Sequence, residues 1–354
     1  MVELAAPGQG ISEMELAQAT RNRGMPLEAM RYDITPVGLH YLLIHFDIPL
    51  LDPASWRLRI GGNVRREIEL SLDDIRSKPA TTMPVTMECA GNGRARLKPR
   101  PMTQPWLNEA IGTASWTGTP LSGVLEEAGL EQGTVEILFA GADHGVEGGE
   151  ELDYRRSLPL AEAMRPEVLL VYEMNGRPLE PQHGFPLRLI VPGWYGMTSV
   201  KWLVRIDALT EPFQGFHQAV AYRYVQSEDE PGERVTRMRP RALMIPPGFP
   251  GFPERQRLLD AGPVSIEGRA WSGKAAIVRV EVGIDGEWFE AKLAEPVGRW
   301  AWRGWSFEWN ATPGEHLLSC RATDETGDAQ PLAQPWNLQG LGYNLVQEVG
   351  VTVR

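Results

Sequence analysis

A change of sequence pattern at residues 228–233, Glu-Asp-Glu-Pro-Gly-Glu, constrains the fold more than any other feature of this 354-residue chain. The segment is charged and contains Pro-Gly, a combination typical of a linker. Before it, short β-like runs alternate with helical segments, whereas after it alternating strands follow one another without helices. A chain of this length normally forms two or three domains. We therefore predict two structural units that meet near this linker.

The unit after the linker is predicted to contain strands alone. Its alternating segments recur about every ten residues and are separated by turns such as Asp285-Gly286 and Pro313-Gly314. This spacing is typical of an immunoglobulin-like β-sandwich. The predicted strands are residues 264–268, 277–284, 288–293, 305–309 and 316–322.

The unit before the linker is predicted to be an α+β domain. Residues 56–60 alternate at period two and run into Gly61-Gly62, which indicates a strand that enters a turn. Ser71 is followed by acidic residues, which predicts the start of a helix. The other predicted elements are helices at 121–128 and 160–164 and strands at 135–140 and 187–191. We expect an N-terminal extension at residues 1–30, the α+β domain at 31–227 and the sandwich at 231–354.

The charge balance argues against several classes of partner. The chain has 35 basic and 46 acidic residues, a net charge of -11, and no block of Lys or Arg. Nucleic acid and anionic membrane surfaces are therefore poor candidates, and an anionic substrate would need a locally positive pocket. No apolar run reaches the roughly 18 residues of a membrane helix. The first thirty residues lack the apolar core of a leader, so we expect a cytoplasmic protein, or a periplasmic one if a leader has been removed.

The segment Met87–Arg94 carries the strongest chemical signal. Cys89 is followed by small residues that let a ligand approach the backbone, and Arg94 supplies a cation that favours the thiolate. Such a loop suits a cysteine nucleophile, a zinc site or a thiolate ligand to a redox metal. Zinc is disfavoured because no second Cys and no close His pair accompany Cys89. The other cysteine, Cys320, lies in an alternating strand pattern and is predicted to be a core residue.

A cysteine nucleophile would need a base, and the candidates His45, His144 and His183 show no recognisable arrangement. A thiolate ligand to a metal that arrives inside its own organic cofactor needs only one cysteine. The residues Cys89-Ala90-Gly91-Asn92 and Arg94 resemble the Cys-Ala-Gly-Asn-Arg-Arg loop of the sulfite oxidase family, whose cysteine ligates molybdenum. Further family motifs follow in family order: Trp106, Ala110-Ile111-Gly112, Trp116-Thr117-Gly118, Gly141-Ala142-Asp143, Tyr172–Gly176, His183–Arg188, Val191-Pro192-Gly193, Lys201-Trp202-Leu203, Gly268, Ala270–Gly273 and Pro335–Leu338.

The resemblance implies a molybdenum-molybdopterin cofactor (Moco) and a site for it. Arg188 and Lys201 are expected to bind its phosphate, and Asp143 and the histidines its pterin. The cofactor-binding residues that the resemblance implies are Tyr41, Leu42, Leu43, Ile44, His45, Asn92, Asp143, His183, Arg188, Ser199, Val200 and Lys201.

Four residues are expected to take part in catalysis by resemblance: Cys89 as the metal ligand, Arg94, Trp106 and Tyr222. Tyr222 aligns with the family tyrosine that stands beside the metal, where a phenol can donate a hydrogen bond to a developing oxyanion. Tyr224 is close in sequence and is an alternative for this role. Trp106 corresponds to a pocket-lining tryptophan, although an ordinary core aromatic residue would have the same pattern.

Two departures from the family pattern concern the substrate. Leu43 stands where the sulfite oxidases carry a pocket arginine, and Lys274-Ala275-Ala276 stands where a second is expected. Arg94 is the remaining expected cation, so the sequence predicts weakened recognition of sulfite.

The resemblance implies two-electron oxygen-atom transfer on a small anion such as sulfite. No haem-binding domain is expected, so electrons would pass to an external acceptor. The second unit is expected to form a homodimer. The alternatives are a molybdenum reductase of another oxyanion or oxidised compound, such as nitrate, and a non-catalytic module that binds the cofactor.

Overall fold

The computed structural model describes residues 3–6 and 8–354. The helices are short and all precede the linker: α1 (Glu13–Arg21), α2 (Leu72–Arg76), α3 (Leu121–Ala128), α4 (Leu160–Ala163) and α5 (Phe216–Ala219), with 3-10 helices at Leu27–Arg31, Val37–Leu39, Arg94–Arg96, Pro181–His183 and Gly196–Thr198. The strands before the linker are β1 (Leu4–Ala5), β2 (Leu58–Gly62), β3 (Ile68–Leu70), β4 (Thr81–Glu88), β5 (Arg100–Pro101), β6 (Ile111–Pro120), β7 (Glu136–Glu147), β8 (Glu150–Pro159), β9 (Leu169–Met174), β10 (Arg177–Pro178), β11 (Arg188–Ile190), β12 (Leu203–Leu209) and β13 (Arg223–Tyr224).

Two five-stranded sheets form the part before the linker. One has the order β10-β9-β6-β4 with β11 paired to β9, and the other has the order β3-β2-β12-β7-β8. Apolar residues of both sheets, such as Phe139 and Leu170, share one buried core with α3. Helix α3 begins and ends where the sequence predicts and buries Leu121, Val124, Leu125 and Ala128, the positions that share one helix face. The predicted helix start at Ser71 is confirmed, because its side chain accepts a hydrogen bond from the Asp74 N–H.

The strands after the linker are β14 (Glu233–Arg234), β15 (Arg241–Met244), β16 (Phe249–Pro250), β17 (Arg257–Leu259), β18 (Gly262–Trp271), β19 (Ile277–Ile284), β20 (Glu287–Glu290), β21 (Lys292–Leu293), β22 (Arg303–Ala311), β23 (Gly314–Asp324) and β24 (Gln347–Val353). They form a four-stranded sheet, β15-β18-β22-β21, and a six-stranded sheet, β16-β17-β24-β23-β19-β20. Residues of both sheets, among them Ile266, Val280, Trp305 and Cys320, share one core. The mixed first part and the β-sandwich that follows it are the fold class that the sequence predicts.

The predicted strand 288–293 is wrong in one respect. It is two strands that belong to different sheets, since β20 pairs with β19 and β21 pairs with β22. Ala291, between them, is buried in the sandwich core. A change of sheet within six residues keeps the alternating pattern, so the sequence reads as a single strand.

A further buried cluster joins the two parts of the chain. It contains Met25 and Met30 from the N-terminal segment, Tyr195 from the mixed part, and Trp271 and Trp302 from the sandwich. The Arg269 side chain on β18 donates a hydrogen bond to the carbonyl oxygen of Met30 at 2.7 Å. The N-terminal segment therefore packs between the two parts. Helix α1, with nine residues, is the longest in the described ranges, and none of the helices there could cross a membrane.

Candidate functional site

A cavity opens among loops and strands of the mixed part. Strand β4 ends just before Cys89, β7 carries Asp143, β8 carries Tyr154, and Tyr222 precedes β13. The lining residues are His40, Tyr41, Leu42, Leu43, His45, Met87, Cys89, Asp143, Tyr154, Gln182, His183, Arg188, Gly196, Met197, Ser199, Lys201 and Tyr222. The cavity therefore collects segments that are far apart in the sequence.

The loop after β4 holds Cys89 in a fixed place. The Cys89 N–H donates to the Ala110 carbonyl at 2.9 Å, and the Asn92 amide accepts from the Ala110 N–H at 3.1 Å. A side chain at Gly91 would collide with the guanidinium of Arg94, so glycine lets this cation fold back against the loop. The loop thus places one thiol and one guanidinium close together.

The thiol is buried but has a cation beside it. Cys89 is 7% exposed, and burial raises the pKa of its thiol, whereas Arg94 acts in the opposite direction by stabilising the thiolate. In the described ranges no group of three His, Cys, Asp or Glu side chains could hold a metal ion. A metal at Cys89 would therefore need further ligands from outside the protein.

The sandwich contacts this loop through a buried ion pair. Arg241 and Glu88 are 1% and 2% exposed, and their side chains meet at 2.7 Å. The second Glu88 oxygen accepts from the Trp271 indole N–H at 2.9 Å, and the Asn92 amide donates to the first at 3.0 Å. Arg241 also donates to the Asn108 side chain at 2.8 Å. The residue before Cys89 is thereby tied to strands β15 and β18.

Tyr222 lines the cavity together with Cys89, and Arg94 is close enough to act on it electrostatically. Its phenol oxygen is 2.7 Å from Nε2 of His45, and its backbone N–H donates to the Gln339 side chain at 2.9 Å. Its φ of 60° is unusual for a residue other than glycine and turns the side chain inward. Tyr224 lies outside the cavity, with the Arg239 guanidinium 4.5 Å from its ring centroid.

The protonation states of Tyr222 and His45 follow from burial. Burial raises the pKa of Tyr222, so the phenol stays protonated at neutral pH. Burial also lowers the pKa of His45 to about 4, so this imidazole is neutral at pH 7. The pair therefore carries no charge while it can share a proton.

The cavity lining also contains two cations, Arg188 and Lys201. Two nitrogens of Arg188 donate to the carbonyls of His183 and Ser199 at 2.9 and 3.1 Å. Lys201 donates to the Leu43 carbonyl at 2.9 Å, and burial lowers its pKa. Burial raises the pKa of Asp143 in the same region, against the effect of Lys201. Both cations are held by neutral oxygens, which leaves their charge available to an anion.

Several polar atoms in and beside the cavity are buried without a hydrogen-bond partner. They are Nε2 of His40, Oδ1 of Asp143, Nε of Arg188 and Nε of Arg94. Buried polar atoms in folded proteins almost always have partners, so a group of orphaned ones indicates the place of a polar ligand.

The sequence-predicted site residues fall into two groups. Those that line the cavity are Tyr41, Leu42, Leu43, His45, Cys89, Asp143, His183, Arg188, Ser199, Lys201 and Tyr222. Ile44, Asn92, Arg94, Trp106 and Val200 do not line it: Val200 belongs to the core between the sheets, the Ile44 N–H is bound by Asn22, and the other three lie around Cys89.

Sequence reasoning missed His40, Met87, Tyr154, Gln182, Gly196 and Met197 as lining residues. His40, Met87 and Gln182 are one or two positions from residues that it selected, which is the only signal that could have found them. Lys274 pairs with Asp328 at 3.1 Å on an exposed surface, and Arg223 binds the carbonyl of Gly232. Neither of these cations enters the cavity lining.

Family models match most of the chain. Residues 45–217 match the model described as "Oxidoreductase molybdopterin binding domain", and residues 252–354 match "Mo-co oxidoreductase dimerisation domain". A solved structure with a similar fold is the sulfane dehydrogenase SoxCD from Paracoccus pantotrophus. It is 25% identical with a TM-score of 0.83, and the match covers 100% of this chain and 90% of that one.

Sulfite oxidases and nitrate reductases are among the proteins of similar sequence. The mitochondrial sulfite oxidase of Homo sapiens is 35% identical over 90% of this chain, and the chain spans 62% of that protein's length. The sulfite oxidase of Gallus gallus is 34% identical, with 87% of this chain and 71% of that protein covered. The NADH nitrate reductase of Ulva prolifera is 32% identical, with 88% and 39% covered.

Proposed function

Because the chain belongs to the sulfite oxidase family of molybdopterin-dependent oxidoreductases, we propose that it oxidises a small oxyanion, with sulfite as the substrate. The molybdopterin-binding domain implies the molybdenum-molybdopterin cofactor. The observation that carries the proposal is that one cavity is lined by a single buried thiol, two cations and orphaned polar atoms. An anionic, polar cofactor with its own metal matches this set of groups.

The chain's residues divide between the parts of that cofactor. Cys89 supplies the thiolate ligand of the metal, and Arg188 and Lys201 bind the phosphate. Asp143 and His183 present polar atoms to the pterin. Burial lowers the pKa of His183 to about 2, so at neutral pH it acts as an uncharged donor and acceptor. The bound cofactor supplies the two-electron oxygen-atom chemistry, which the protein itself cannot provide.

The part of the cavity beside Tyr222 receives the substrate. Arg94 has no ion-pair partner in the part of the chain that the structure describes, so its charge is free to attract an anion. The Tyr222 phenol donates a hydrogen bond to the anion, and neutral His45, with its proton on Nε2, donates to the phenol oxygen and holds the phenol in place. Trp106 and Asn92 fix the loop that carries the thiol.

Metal analysis of purified protein tests the proposal. We expect about one molybdenum per chain and a visible spectrum that changes on addition of sulfite. Cys89→Ser should abolish turnover and change this spectrum. Cys320→Ser is the matched control, because Cys320 is also buried and donates to Gln347 at 3.7 Å, a contact that serine can keep. Full activity of the Cys89 variant with an unchanged spectrum would contradict the thiolate assignment.

Nitrate reduction is the second candidate, because nitrate reductases are 30–32% identical to this chain. Leu43 lines the cavity at the position of the family's pocket arginine, so the cavity has one cation fewer with which to bind a divalent anion. A substrate panel separates the two. Turnover of nitrate with an artificial electron donor and none of sulfite would favour the reductase, and protein without molybdenum would favour a non-catalytic module.

We also propose that the sandwich forms a homodimer and that electrons pass to an external acceptor. The dimerisation-domain match supports the first point, as do Phe249 and Phe252, which are 69% and 90% exposed. Light scattering at micromolar concentration tests it, and a strict monomer would contradict it.

A further inference from the structure

A buried guanidinium lies against the Tyr222 ring at a position that the sequence pattern does not single out. Arg156, on β8, is 2% exposed, and its guanidinium carbon lies 5.3 Å from the centroid of the Tyr222 ring. Two of its nitrogens, Nε and one terminal nitrogen, are buried without a hydrogen-bond partner. Arginine keeps its charge even when buried. A positive charge therefore lies against the Tyr222 ring.

No carboxylate neutralises this charge within the described ranges. Glu136 is the acidic residue that acts electrostatically on Arg156, but both of its carboxylate oxygens already have other partners. One pairs with Arg234 at 2.9 Å, and the other accepts from Ser157 at 2.6 Å and from the Phe213 N–H at 2.9 Å. Buried charges in proteins are normally paired, because an unpaired one is costly. An unpaired buried cation beside a cavity indicates that its counter-ion is a ligand.

Tyr222 lines the cavity, its ring packs against Arg156, and Arg94 also acts on it electrostatically. Both guanidinium groups stabilise negative charge at the phenol. Leu43, which also lines the cavity, stands where the family pattern places a pocket arginine.

We infer that Arg156 supplies the second positive charge that positions a small oxyanion beside Tyr222 in the cavity, in place of the arginine absent at position 43. Its role in turnover rests on the proposed function, but anion binding does not. Arg156 acts through the Tyr222 ring and by its charge, so it is a positioning residue.

The neighbouring residue provides a matched control. Successive side chains of a strand point to opposite faces, and Arg155 is exposed while Arg156 is buried. Arg155→Met and Arg156→Met remove the same charge one position apart on β8. A difference between these variants therefore reports the buried charge and not the overall charge of the protein.

The experiment measures sulfate binding to the holoenzyme by calorimetry, together with sulfite kinetics. Arg156→Met should raise the dissociation constant of sulfate and the Michaelis constant of sulfite about tenfold, the effect of one charge across a short, partly screened distance. The turnover number should change far less, since this is a loss of uniform binding. Arg155→Met should match the wild type. Leu43→Arg combined with Arg156→Met should restore binding, which a structural role of Arg156 would not allow.

Thermal melting shows whether each variant is folded. If Arg156→Met does not fold, Arg156→Lys and Arg156→Gln replace it, and the charged variant alone should retain sulfate binding. Unchanged sulfate affinity in the uncharged variant, or a loss that Leu43→Arg does not restore, would overturn the inference. Sulfate binding that depends on Arg156 in a protein inactive toward sulfite would support the inference and contradict the proposed substrate. Sulfite turnover that is insensitive to Arg156 would do the reverse.

Discussion

Charged side chains lie in two places near Cys89: at the junction, where the Cys89 loop contacts the sandwich, and beside the cavity. They differ in whether an opposite charge of the protein pairs with them. At the junction, Glu88 and Arg241 neutralise each other and are bound by Trp271 and Asn108. Beside the cavity, Arg94 and Arg156 have no acidic partner in the described part of the chain. A buried charge with its counter-ion in the protein gives the structure a defined geometry, whereas a buried cation without one marks a place for an anionic ligand. Substitutions at the junction should therefore reduce stability, and substitutions at the cavity should reduce binding.

Arg241→Met should give the largest effect. It leaves Glu88 as an uncompensated buried charge, so we expect the free energy of unfolding to fall by about 3–5 kcal/mol. Urea denaturation followed by tryptophan fluorescence measures this change. Arg59→Met is the control, because Arg59 pairs with Glu69 at 2.9 Å and the two side chains are 76% and 49% exposed. That loss should be below about 1 kcal/mol. Equal losses in both variants would remove the distinction between the junction and the surface.

Arg94→Met should show the opposite pattern. It removes an unpaired cation, so unfolding should change by less than about 1 kcal/mol. The Michaelis constant of sulfite should rise about ten- to hundredfold, the value of a charge-assisted contact. Arg96→Met, in the same 3-10 helix but exposed, controls for charge. A destabilised Arg94 variant with unaltered kinetics would mean that Arg94 belongs with the junction and not with the cavity.

Asp143→Asn tests the same contrast with a buried acid. Burial raises the pKa of Asp143, so the cofactor-free protein loses stability as pH rises above the ordinary carboxyl value of 3.8. Asparagine removes this loss. We expect a gain of about 1–3 kcal/mol at pH 8 and a smaller gain at pH 5, since Oδ1 is buried without a partner. Denaturation of cofactor-free protein at both pH values measures it.

Asp153→Asn, an exposed carboxylate on β8, is the control for Asp143 and should change stability by less than about 0.5 kcal/mol. A loss of stability in Asp143→Asn that is the same at both pH values would show that the Asp143 carboxylate is satisfied in the folded protein.

Local patterns were sufficient for much of the fold. The bounds of α3 and β19 and the start of α2 follow from apolar periodicity and capping, which depend on neighbouring residues only. The strand at 288–293 was wrong because pairing partners decide the sheet, and pairing is not local.

The candidate site shows the same limit. The motif at Cys89 was visible in the sequence, but Tyr222 and Tyr224 could not be separated until the backbone was seen to turn one of them inward. Arg155 and Arg156 are identical in type, and alternation alone does not say which face of β8 is buried. The buried cation was missed for that reason.

Leu43→Arg should give the smallest effect. It tests whether the protein already has the cations that it needs to bind a small oxyanion. Leu43 lines the cavity, and its carbonyl oxygen is held by Lys201 at 2.9 Å, so a longer side chain can be added without release of the backbone. The family pattern predicts that the new guanidinium improves sulfite binding. Because Arg156 already places a charge against the Tyr222 ring, the gain should be limited to about threefold to fivefold, or roughly 0.7–1 kcal/mol. Steady-state kinetics at low ionic strength would measure it, with Leu43→Met as the control for size. A gain of about a hundredfold would show that the pocket lacks its second cation.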